Sequence, residues 1–400
     1  MDIFRRKKKN PSTHVIWDKK LLRYNFGPSH PMNPIRLDLT SKLMQNFGLF
    51  DLKNVKLIKP RKASDTELAE THNPTYIASV HRAEHGVKDK TKGLGSEDVP
   101  LFDEIHDTSA LIYGASIKAA ESIISGKAIR AFNFAGGMHH ASSDKAGGFC
   151  VYNDIAGAIK KFLNAGYHKI LYIDLDAHHG DGTQNIFWKD PRVVTISIHE
   201  SGKTLYPGTG KINEVGHKKA KGTSINIPLP AGTSNADWLR AFHAIVPQIV
   251  EAWQPEIIVS QHGCDGHRSD YLTHLNLTID AFAVAATKIR DLSEKYCNGK
   301  WLATGGGGYN ILDVVPRAWT QLLSVLTNKD LPLESLLPQT WIDYVKETQE
   351  REACETLGDK TEIWWRSWEI GHDTTQAIDK IITEVRTQIF PYYDLDPWFS

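Results

Sequence analysis

The sequence predicts an α/β fold in which a single domain holds a parallel β-sheet of about eight strands with helices on both faces. Two observations lead to this prediction. Short apolar segments rich in β-branched residues alternate with longer segments of helical periodicity over most of the chain. Polar loops follow the apolar segments one after another, as expected when the carboxyl ends of parallel strands meet at one edge of a sheet.

The individual elements follow from the same patterns. Apolar segments predict strands at residues 14–17, 129–134, 169–173, 193–198, 224–228, 255–260 and 301–304. Apolar residues at helical spacing predict helices at residues 36–47, 103–125, 154–163 and 238–253, with a further helix after residue 310. Gly48 and Gly126 end the first two of these helices.

The domain organisation follows from length and composition. The 400 residues could form two or three domains, but the chain contains no linker rich in proline, glycine or serine and no repeat of fixed period. We therefore expect one α/β domain over residues 13–330, preceded by a basic flexible tail at residues 1–12. Residues 331–400 match none of the motifs described below, and we expect them to be a C-terminal extension packed on the same domain.

The charge balance argues against two classes of partner. Lysine plus arginine and aspartate plus glutamate number 47 each, so no overall field favours nucleic acid or a membrane surface. The basic run at residues 5–9 lacks the apolar segment of a signal peptide, and no apolar run is long enough for a membrane span. The four cysteines are widely spaced, which suits reduced thiols and predicts a cytoplasmic protein. Composition predicts no oligomeric state.

The densest polar cluster follows the predicted strand at residues 169–173. It reads Asp-Leu-Asp-Ala-His-His-Gly-Asp-Gly-Thr over residues 174–183. Asp174, Asp176 and His178 are spaced by two, so in an extended chain their side chains point to one side. Taken alone, such a cluster is more often a hydrogen-bonded turn than a site. A functional interpretation therefore needs support from other segments.

Three further loops at strand ends supply that support. They read Gly-Gly-Met-His-His at residues 136–140, Gln-His-Gly-Cys-Asp at 261–265 and Gly-Gly-Gly-Gly-Tyr-Asn at 305–310. The four glycines suggest a phosphate-binding loop, but no Gly-Lys-Ser/Thr follows. On a shared rim the loops bring together a set of metal ligands with acid–base groups. The set comprises His139, His140, Asp174, Asp176, His178, Asp181, Asp265 and Tyr309.

These motifs occur in an order that resembles the zinc-dependent histone deacetylase family. Gly-Gly-Phe-Cys at residues 147–150 and Tyr-Pro-Gly-Thr-Gly at 206–210 belong to the same pattern, which runs from about residue 24 to residue 319. Residues 30–40 together with Gln-His-Gly-Cys-Asp are most similar to the bacterial acetoin-utilisation branch. The resemblance implies an arginase/deacetylase-like fold. It also implies hydrolysis of the acetyl group from acetyl-lysine side chains of proteins, with release of acetate.

The resemblance also implies roles for the residues of the rim. Asp176, His178 and Asp265 match the ligands of the catalytic zinc, and their hard oxygen donors leave Fe²⁺ as an alternative. His139 and His140 match the tandem catalytic histidines, with Asp174 and Asp181 as their carboxylate partners. Tyr309 matches the residue that holds the oxyanion. Backbone carbonyls around a further set match a structural potassium site: Asp174, Asp176, His178 and Ser197.

Substrate contacts are implied in the same way. Phe149 and Tyr206 match the aromatic walls of a narrow channel, although Tyr206 replaces the usual phenylalanine. Leu272 matches a further wall residue, the Gly148 carbonyl an acceptor for the substrate amide, and Asp98 a rim carboxylate that binds substrate backbone N–H groups. A further match, Arg36, corresponds to an arginine that lines an internal acetate channel.

Three alternatives remain at this stage. The substrate can be an acetylated polyamine or another small acetylated amine instead of a protein such as an acyl-CoA synthetase, which the acetoin branch implies. A two-metal ureohydrolase of the arginase type would require Asp-x-His-x-Asp, whereas this chain has Asp-x-Asp-x-His. An inactive acetyl-lysine binding module predicts loss of Tyr309 or of a histidine, and neither is lost.

Overall fold

The computed structural model describes residues 10–399, within which eight strands form one parallel sheet. Every pairing in the sheet is parallel, and the strand order is β2-β1-β3-β8-β7-β4-β5-β6. The predicted parallel α/β sheet is thus confirmed. Its strands are β1 Thr13–Ile16, β2 Val55–Ile58, β3 Arg130–Asn133, β4 Ile170–Asp174, β5 Val193–Glu200, β6 Ser224–Leu229, β7 Ile257–Gln261 and β8 Trp301–Thr304.

Helices connect these strands and extend beyond the last one. The helices are α1 Ile35–Asn46, α2 Asp65–Leu68, α3 Pro74–Ala83, α4 Ile105–Ile124, α5 Asp154–Asn164, α6 Asp181–Phe187, α7 Asn235–Trp253, α8 Ile279–Tyr296, α9 Val315–Thr327, α10 Gln339–Gln349 and α11 Ala377–Ile389. None of the helices within residues 10–399 combines the length and apolar character that a bilayer span requires.

Both faces of the sheet are buried, because alternate strand residues belong to two different hydrophobic clusters. Leu171 and Ile173 of β4 pack in one cluster with side chains of α7, α8 and α9. Ile170 and Tyr172 of the same strand pack in the other with side chains of α5 and of the second half of α4. Burial on both faces explains why the central strands are continuous apolar runs in the sequence.

Sequence reasoning missed strand β2 and several helices, among them α10 and α11 beyond residue 330. Val55–Ile58 is an edge strand whose residues are half-buried or exposed, and Lys56 interrupts its apolar character. The pattern expected of a buried strand is therefore absent from it. Helices α3 and α8 were not predicted either, although α3 begins with Asn73 as N-cap and Pro74 as first residue, a recognisable start signal.

The N-terminal end of the described chain differs from the sequence prediction in detail. The basic run at residues 5–9 lies outside the described residues. Pro11 is buried, and the Ser12 carbonyl accepts hydrogen bonds from the N–H groups of Ile129 (2.9 Å) and Arg130 (3.1 Å). Residues 11 and 12 are therefore packed against the domain, although they lie within the stretch predicted as a flexible tail.

The segment after residue 330 contacts the sheet domain at several points. Ile382 and Ile389 of α11 belong to the main hydrophobic cluster. Asp379 of α11 forms a buried ion pair with Arg240 of α7 at 2.5 Å. The indole N–H of Trp341 in α10 donates to the Leu39 carbonyl of α1 at 2.9 Å.

Four adjacent central strands determine where polar loops can meet. Strands β3, β8, β7 and β4 are consecutive in the sheet, although they lie far apart in the sequence. Since all four are parallel, their carboxyl ends and the loops that follow them share one edge.

Candidate active site

The tandem histidines lie in the loop after β3, and a buried carboxylate fixes that loop. Asp154, the first residue of α5, accepts hydrogen bonds at 3.0 and 2.8 Å from the backbone N–H groups of Gly137 and of the residue after it. Gly137 has φ +105°, and a Cβ there would overlap the backbone of the loop after β8. These contacts hold His139 and His140 in one orientation at the rim.

Each histidine of the pair is hydrogen-bonded to its own carboxylate. His139 Nδ1 donates to Asp174 Oδ2 at 2.8 Å, and His140 Nδ1 donates to Asp181 Oδ1 at 2.7 Å. The Tyr172 hydroxyl also donates to Asp174 Oδ2, at 2.7 Å. With Nδ1 engaged by a carboxylate, Nε2 is the nitrogen of each ring that is able to accept a proton.

The two imidazoles differ in protonation. Burial lowers the pKa of His140 to about 4, and the charge of neighbouring His139 acts in the same direction. Burial also opposes protonation of His139, but the carboxylates of Asp174 and Asp176 raise the pKa of this residue to about 9. At neutral pH, His140 is thus a neutral base beside a charged imidazole, with ring centroids 4.1 Å apart.

Asp176, His178 and Asp265 converge beside this pair. His178 Nδ1 lies 2.8 Å from Asp265 Oδ2 and 3.1 Å from Asp176 Oδ1. One potential ligand atom from each of the three residues lies within 4.8 Å of the others, and all three residues are buried. The convergence follows from the sheet, because Asp176 follows β4, Asp265 follows β7, and these strands are neighbours.

Hydrogen-bond donors orient the two carboxylates. Asp176 Oδ2 accepts from Gln261 Nε2 at 3.1 Å and from the Gly307 N–H at 2.7 Å, while Asp265 Oδ1 accepts from the Ala177 N–H at 2.9 Å. A Cβ at Gly307 would overlap Asp265, so glycine allows the loop after β8 to approach both acids. The other two carboxylate oxygens, Asp176 Oδ1 and Asp265 Oδ2, face the imidazole of His178.

This set of donors fits a divalent transition metal. Two carboxylates and one imidazole make a three-ligand arrangement that leaves coordination positions for water and substrate, as catalytic centres require. Burial and the charge of Asp176 raise the pKa of Asp265 to about 7, because two carboxylates held close together in a buried site repel each other. A cation would remove this repulsion, so both geometry and charge favour metal binding.

Tyr309 lies next to this set, on the glycine-rich loop after β8. Gly306 and Gly308 have φ +154° and +149°. Their carbonyl oxygens accept hydrogen bonds at 2.9 and 3.1 Å from the buried guanidinium of Arg36. Asp270 Oδ2 accepts from the Tyr309 backbone N–H at 2.8 Å. Burial raises the pKa of the Tyr309 hydroxyl well above its ordinary value, so the hydroxyl stays protonated and can donate a hydrogen bond.

The two residues predicted as channel walls contact the histidine pair and the tyrosine. Phe149 meets Tyr309, and Tyr206 meets His140, each edge to face, with ring centroids 5.7 and 5.0 Å apart. Phe149 has φ +63°, and its carbonyl accepts a hydrogen bond from the Tyr24 hydroxyl at 2.6 Å. Tyr206 is 47% exposed. The aromatic surface therefore extends from solvent to the buried polar groups.

The other predicted substrate contacts lie in or next to the loops that carry these residues. Asp98 Oδ2 accepts a hydrogen bond from the Gly148 N–H at 2.6 Å, so this oxygen is occupied by the chain itself. Gly148 has φ +52°, and a Cβ there would overlap the His140 ring. Leu272 is half-buried, and its N–H donates to Asp270 Oδ1 at 3.0 Å.

The residues predicted for potassium lie along the β4–β5 junction. Asp174 and Ser197 are paired in register across these two strands. The Ser197 hydroxyl lies 2.8 Å from His199 Nδ1. Asp176 and His178 follow β4 directly, so the four residues occupy one short stretch of the sheet edge.

Sequence reasoning missed four buried residues that support the site: Tyr172, Asp154, Gln261 and Asp270. Asp154 looks like an ordinary acid in the first turn of a helix, and Tyr172 looks like a core residue of a strand. Gln261 offered a signal, because it is a polar residue at the end of an otherwise apolar strand. Asp270 offered none, since its partner Tyr309 is 39 residues away in the sequence.

A parallel α/β sheet with a site of this kind defines a class, the metal-dependent amide hydrolases. The family model described as the histone deacetylase domain matches residues 30–326. The chain belongs to the histone deacetylase family and is a deacetylase, a hydrolase of carbon–nitrogen bonds in linear amides.

Bacterial relatives confirm the branch predicted from the sequence. The acetoin utilization protein AcuC of Bacillus subtilis (strain 168) is 40% identical over 331 residues, covering 82% of this chain and 84% of its own length. The AcuC protein of Staphylococcus aureus (strain MSSA476) is 40% identical over 336 residues, with 83% and 85% covered. That of Staphylococcus xylosus is 38% identical over 335 residues, with 83% and 86% covered.

Proposed function

We propose that this protein removes acetyl groups from acetyl-lysine side chains of proteins. The observation that carries the proposal is the hydrogen bond between Asp181 and Nδ1 of His140, whose ring also contacts Tyr206, with Phe149 packed against Tyr309. A neutral base beside these aromatic rings would meet the amide at the end of a long, apolar side chain. A lysine stem of four methylene groups suits such an aromatic channel.

Asp176, His178 and Asp265 are the residues proposed to hold the metal. A bound Zn²⁺ or Fe²⁺ would polarise the acetyl carbonyl and lower the pKa of a water molecule. The carboxylates of Asp176 and Asp265 support either Zn²⁺ or Fe²⁺, because oxygen ligands suit both ions. For the weaker potassium site, the pairing of Asp174 with Ser197 supports a cation held at the β4–β5 junction.

The proposed proton transfers involve His140. Its neutral Nε2 takes a proton from the attacking water as a carbon–oxygen bond forms at the acetyl carbon. The same nitrogen then gives that proton to the amine as the carbon–nitrogen bond breaks, leaving acetate and a free lysine side chain. His139, held charged by Asp174, stabilises the developing negative charge without transferring a proton.

Tyr309 is proposed to stabilise the tetrahedral intermediate. Its protonated hydroxyl donates to the oxyanion, and this type of contact contributes about 3 to 4 kcal/mol to the transition state. The Gly148 carbonyl would accept the N–H of the substrate amide, and Leu272 would add a third wall to the channel. Asp98 would bind substrate backbone N–H groups through its second oxygen, since Oδ2 already accepts from Gly148.

Acetate is proposed to leave past Arg36. This residue lines a small internal cavity together with Tyr24, Met32 and Met138, on the inner side of the tandem-histidine loop. The buried guanidinium offers positive charge to the carboxylate product. We also propose that the protein acts in the cytoplasm on a protein such as an acyl-CoA synthetase.

The test is turnover by the full chain after removal of metal with a chelator and refilling with Zn²⁺ or Fe²⁺ alone. Acetate release is measured on a panel of acetyl-lysine peptides and on a panel of acetylpolyamines. We expect higher kcat/KM on the peptides. Higher kcat/KM on the polyamines would instead identify a small-amine deacetylase. Absence of acetate release from both panels with either metal would contradict the proposal.

A further inference from the structure

A second group of metal-ligating side chains lies outside the candidate active site. Asp65 begins α2, His81 lies in α3 and His106 lies in α4. His81 Nε2 is 3.0 Å from Asp65 Oδ2, and His106 Nε2 is 3.7 Å from Asp65 Oδ1. A ligand atom from each of the three residues lies within 4.8 Å of the others. Three separate helices thus direct imidazole and carboxylate groups to one point.

His106 distinguishes this cluster from an ordinary surface ion pair. The residue is only 2% exposed, and its Nδ1 lies within hydrogen-bond distance, 3.0 Å, of the buried Tyr152 hydroxyl. Within residues 10–399, Nε2 makes no hydrogen bond, because Asp65 at 3.7 Å is too distant for one. This nitrogen is therefore available to bind an ion placed between the ring and the Asp65 carboxylate.

The spacing of these atoms fits a tetrahedral metal ion. Zinc bonds of about 2.0 to 2.1 Å to nitrogen and oxygen place neighbouring ligand atoms about 3.3 to 3.5 Å apart. The observed separations from Asp65 Oδ1, 3.2 Å to His81 Nε2 and 3.7 Å to His106 Nε2, lie on either side of this value. Tyr152 fixes the His106 ring through the nitrogen that does not face the cluster, as outer hydrogen bonds do at established metal sites.

One of the two histidines has to turn before both rings can reach the same ion. The two imidazole rings are stacked, with centroids 3.6 Å apart, and must separate for both lone pairs to reach one ion. The His81 side chain is 43% exposed and can turn, whereas that of His106 is held in place.

We propose that Asp65, His81 and His106 form a second divalent-metal site, separate from the active site. Two imidazoles and one carboxylate favour borderline first-row cations over Mg²⁺ and Ca²⁺. Zn²⁺ is the cation of this group that the test below uses. The exposed side of Asp65 leaves the fourth position to water. Occupancy ties α2, α3 and α4 together.

The test counts Zn²⁺ bound per chain after equilibrium dialysis of metal-free full-length protein. The parent protein is expected to bind two equivalents. The variant His81→Gln is expected to bind one and to keep full deacetylase turnover. Asp265→Ala is also expected to bind one, and the double variant none. A parent that binds one equivalent, or a His81→Gln variant that keeps two, would overturn the proposal.

A matched substitution and a second measurement guard against indirect effects. His85→Gln removes an exposed histidine two residues beyond the end of α3 and should leave two equivalents bound. In the Asp265→Ala background, Zn²⁺ alone should raise the Tm, and this rise should disappear when His81→Gln is added. Loss of an equivalent in His85→Gln, or a rise that persists without His81, would count against the site.

Discussion

Asp270 and Tyr309 are joined by a hydrogen bond in which the Tyr309 backbone N–H donates to Asp270 Oδ2 at 2.8 Å. The other oxygen of this buried carboxylate accepts from the Leu272 N–H at 3.0 Å. A single side chain thus positions both the tyrosine proposed to stabilise the oxyanion and a proposed wall of the channel. Asp270 touches no reacting atom, so its contribution to turnover is one of positioning.

Asp270→Asn should lower kcat about 10- to 100-fold with a smaller change in KM, because a misplaced catalytic group costs rate more than binding. Asparagine keeps only one acceptor oxygen, so the N–H of either Tyr309 or Leu272 loses its hydrogen bond and faces an N–H₂ group instead. Steady-state kinetics on an acetyl-lysine peptide measure the effect. Asp291→Asn, on the exposed surface, is the control and should match the parent. Unchanged kcat in Asp270→Asn would show that the tyrosine loop holds its position without this carboxylate.

Tyr309→Phe should reduce kcat about 10²- to 10³-fold, because the proposed donor to the oxyanion is lost. Metal content should not change, since the hydroxyl is not a proposed ligand. The comparison is with Tyr271→Phe, which removes the hydroxyl of a tyrosine that is 64% exposed. If both variants turn over like the parent, Tyr309 does not take part in the reaction.

Gly148→Ala should abolish most of the turnover while the protein stays folded. The added Cβ would overlap the His140 ring and displace the proposed base. Gly126→Ala is the matched control, because Gly126 also has a positive φ, at +69°, but a Cβ there would meet open space. Both variants should lose about 1 to 2 kcal/mol of stability from the backbone conformation. Equal activity of the two variants would contradict the steric argument.

Asp359 should stabilise the fold in a pH-dependent manner. It accepts hydrogen bonds from His267 Nε2 and Arg317 Nη2, both at 2.9 Å, and from the Ile279 N–H at 2.8 Å. Burial opposes ionisation, but the hydrogen bond from His267 and the charge of Arg317 hold the pKa of Asp359 well below its ordinary value. A lowered pKa means that the stabilisation is present above the unfolded value, about 3.9, and disappears as pH falls towards the folded value.

Asp359→Asn should therefore lower the free energy of unfolding by about 3 kcal/mol at pH 7, because a buried ion pair loses one partner. The difference from the parent should shrink as pH falls below about 4. Urea unfolding across this range measures both effects, with the exposed residue Asp330→Asn as control. A difference that stays constant with pH would mean that packing, and not charge, is what Asp359 contributes.

Strand-end positions account for much of what the sequence predicted. His139, Asp176, Asp265 and Tyr309 could be expected to meet because each follows an apolar strand, and parallel strands deliver their loops to one edge. Strand β2 escaped prediction because an exposed edge strand has no apolar run. The carboxylate of Asp270 escaped because its partners are backbone N–H groups, which have no signature in the residue types.

The walls of the proposed substrate channel likewise have no signature in the residue types. The sequence indicated Phe149 and Tyr206 as walls only through resemblance, since aromatic residues in loops have no periodicity. Asp98 was expected to bind substrate, and the structure shows that one of its oxygens already binds the Gly148 N–H at 2.6 Å. A hydrogen bond across 50 residues of sequence is set by tertiary structure and has no local pattern.

Strand β8 lies between β3 and β7 in the sheet, although it comes after both of them in the sequence. The middle of the sheet can therefore close only when residues 301–304 have been synthesised and inserted. A chain cut before that point would leave β3 and β7 without their shared neighbour, and it would hold the histidine loop apart from the acids. Chains that end before residue 301 should therefore show no turnover. Partial activity is not expected from any of them, because the sheet and the site form together.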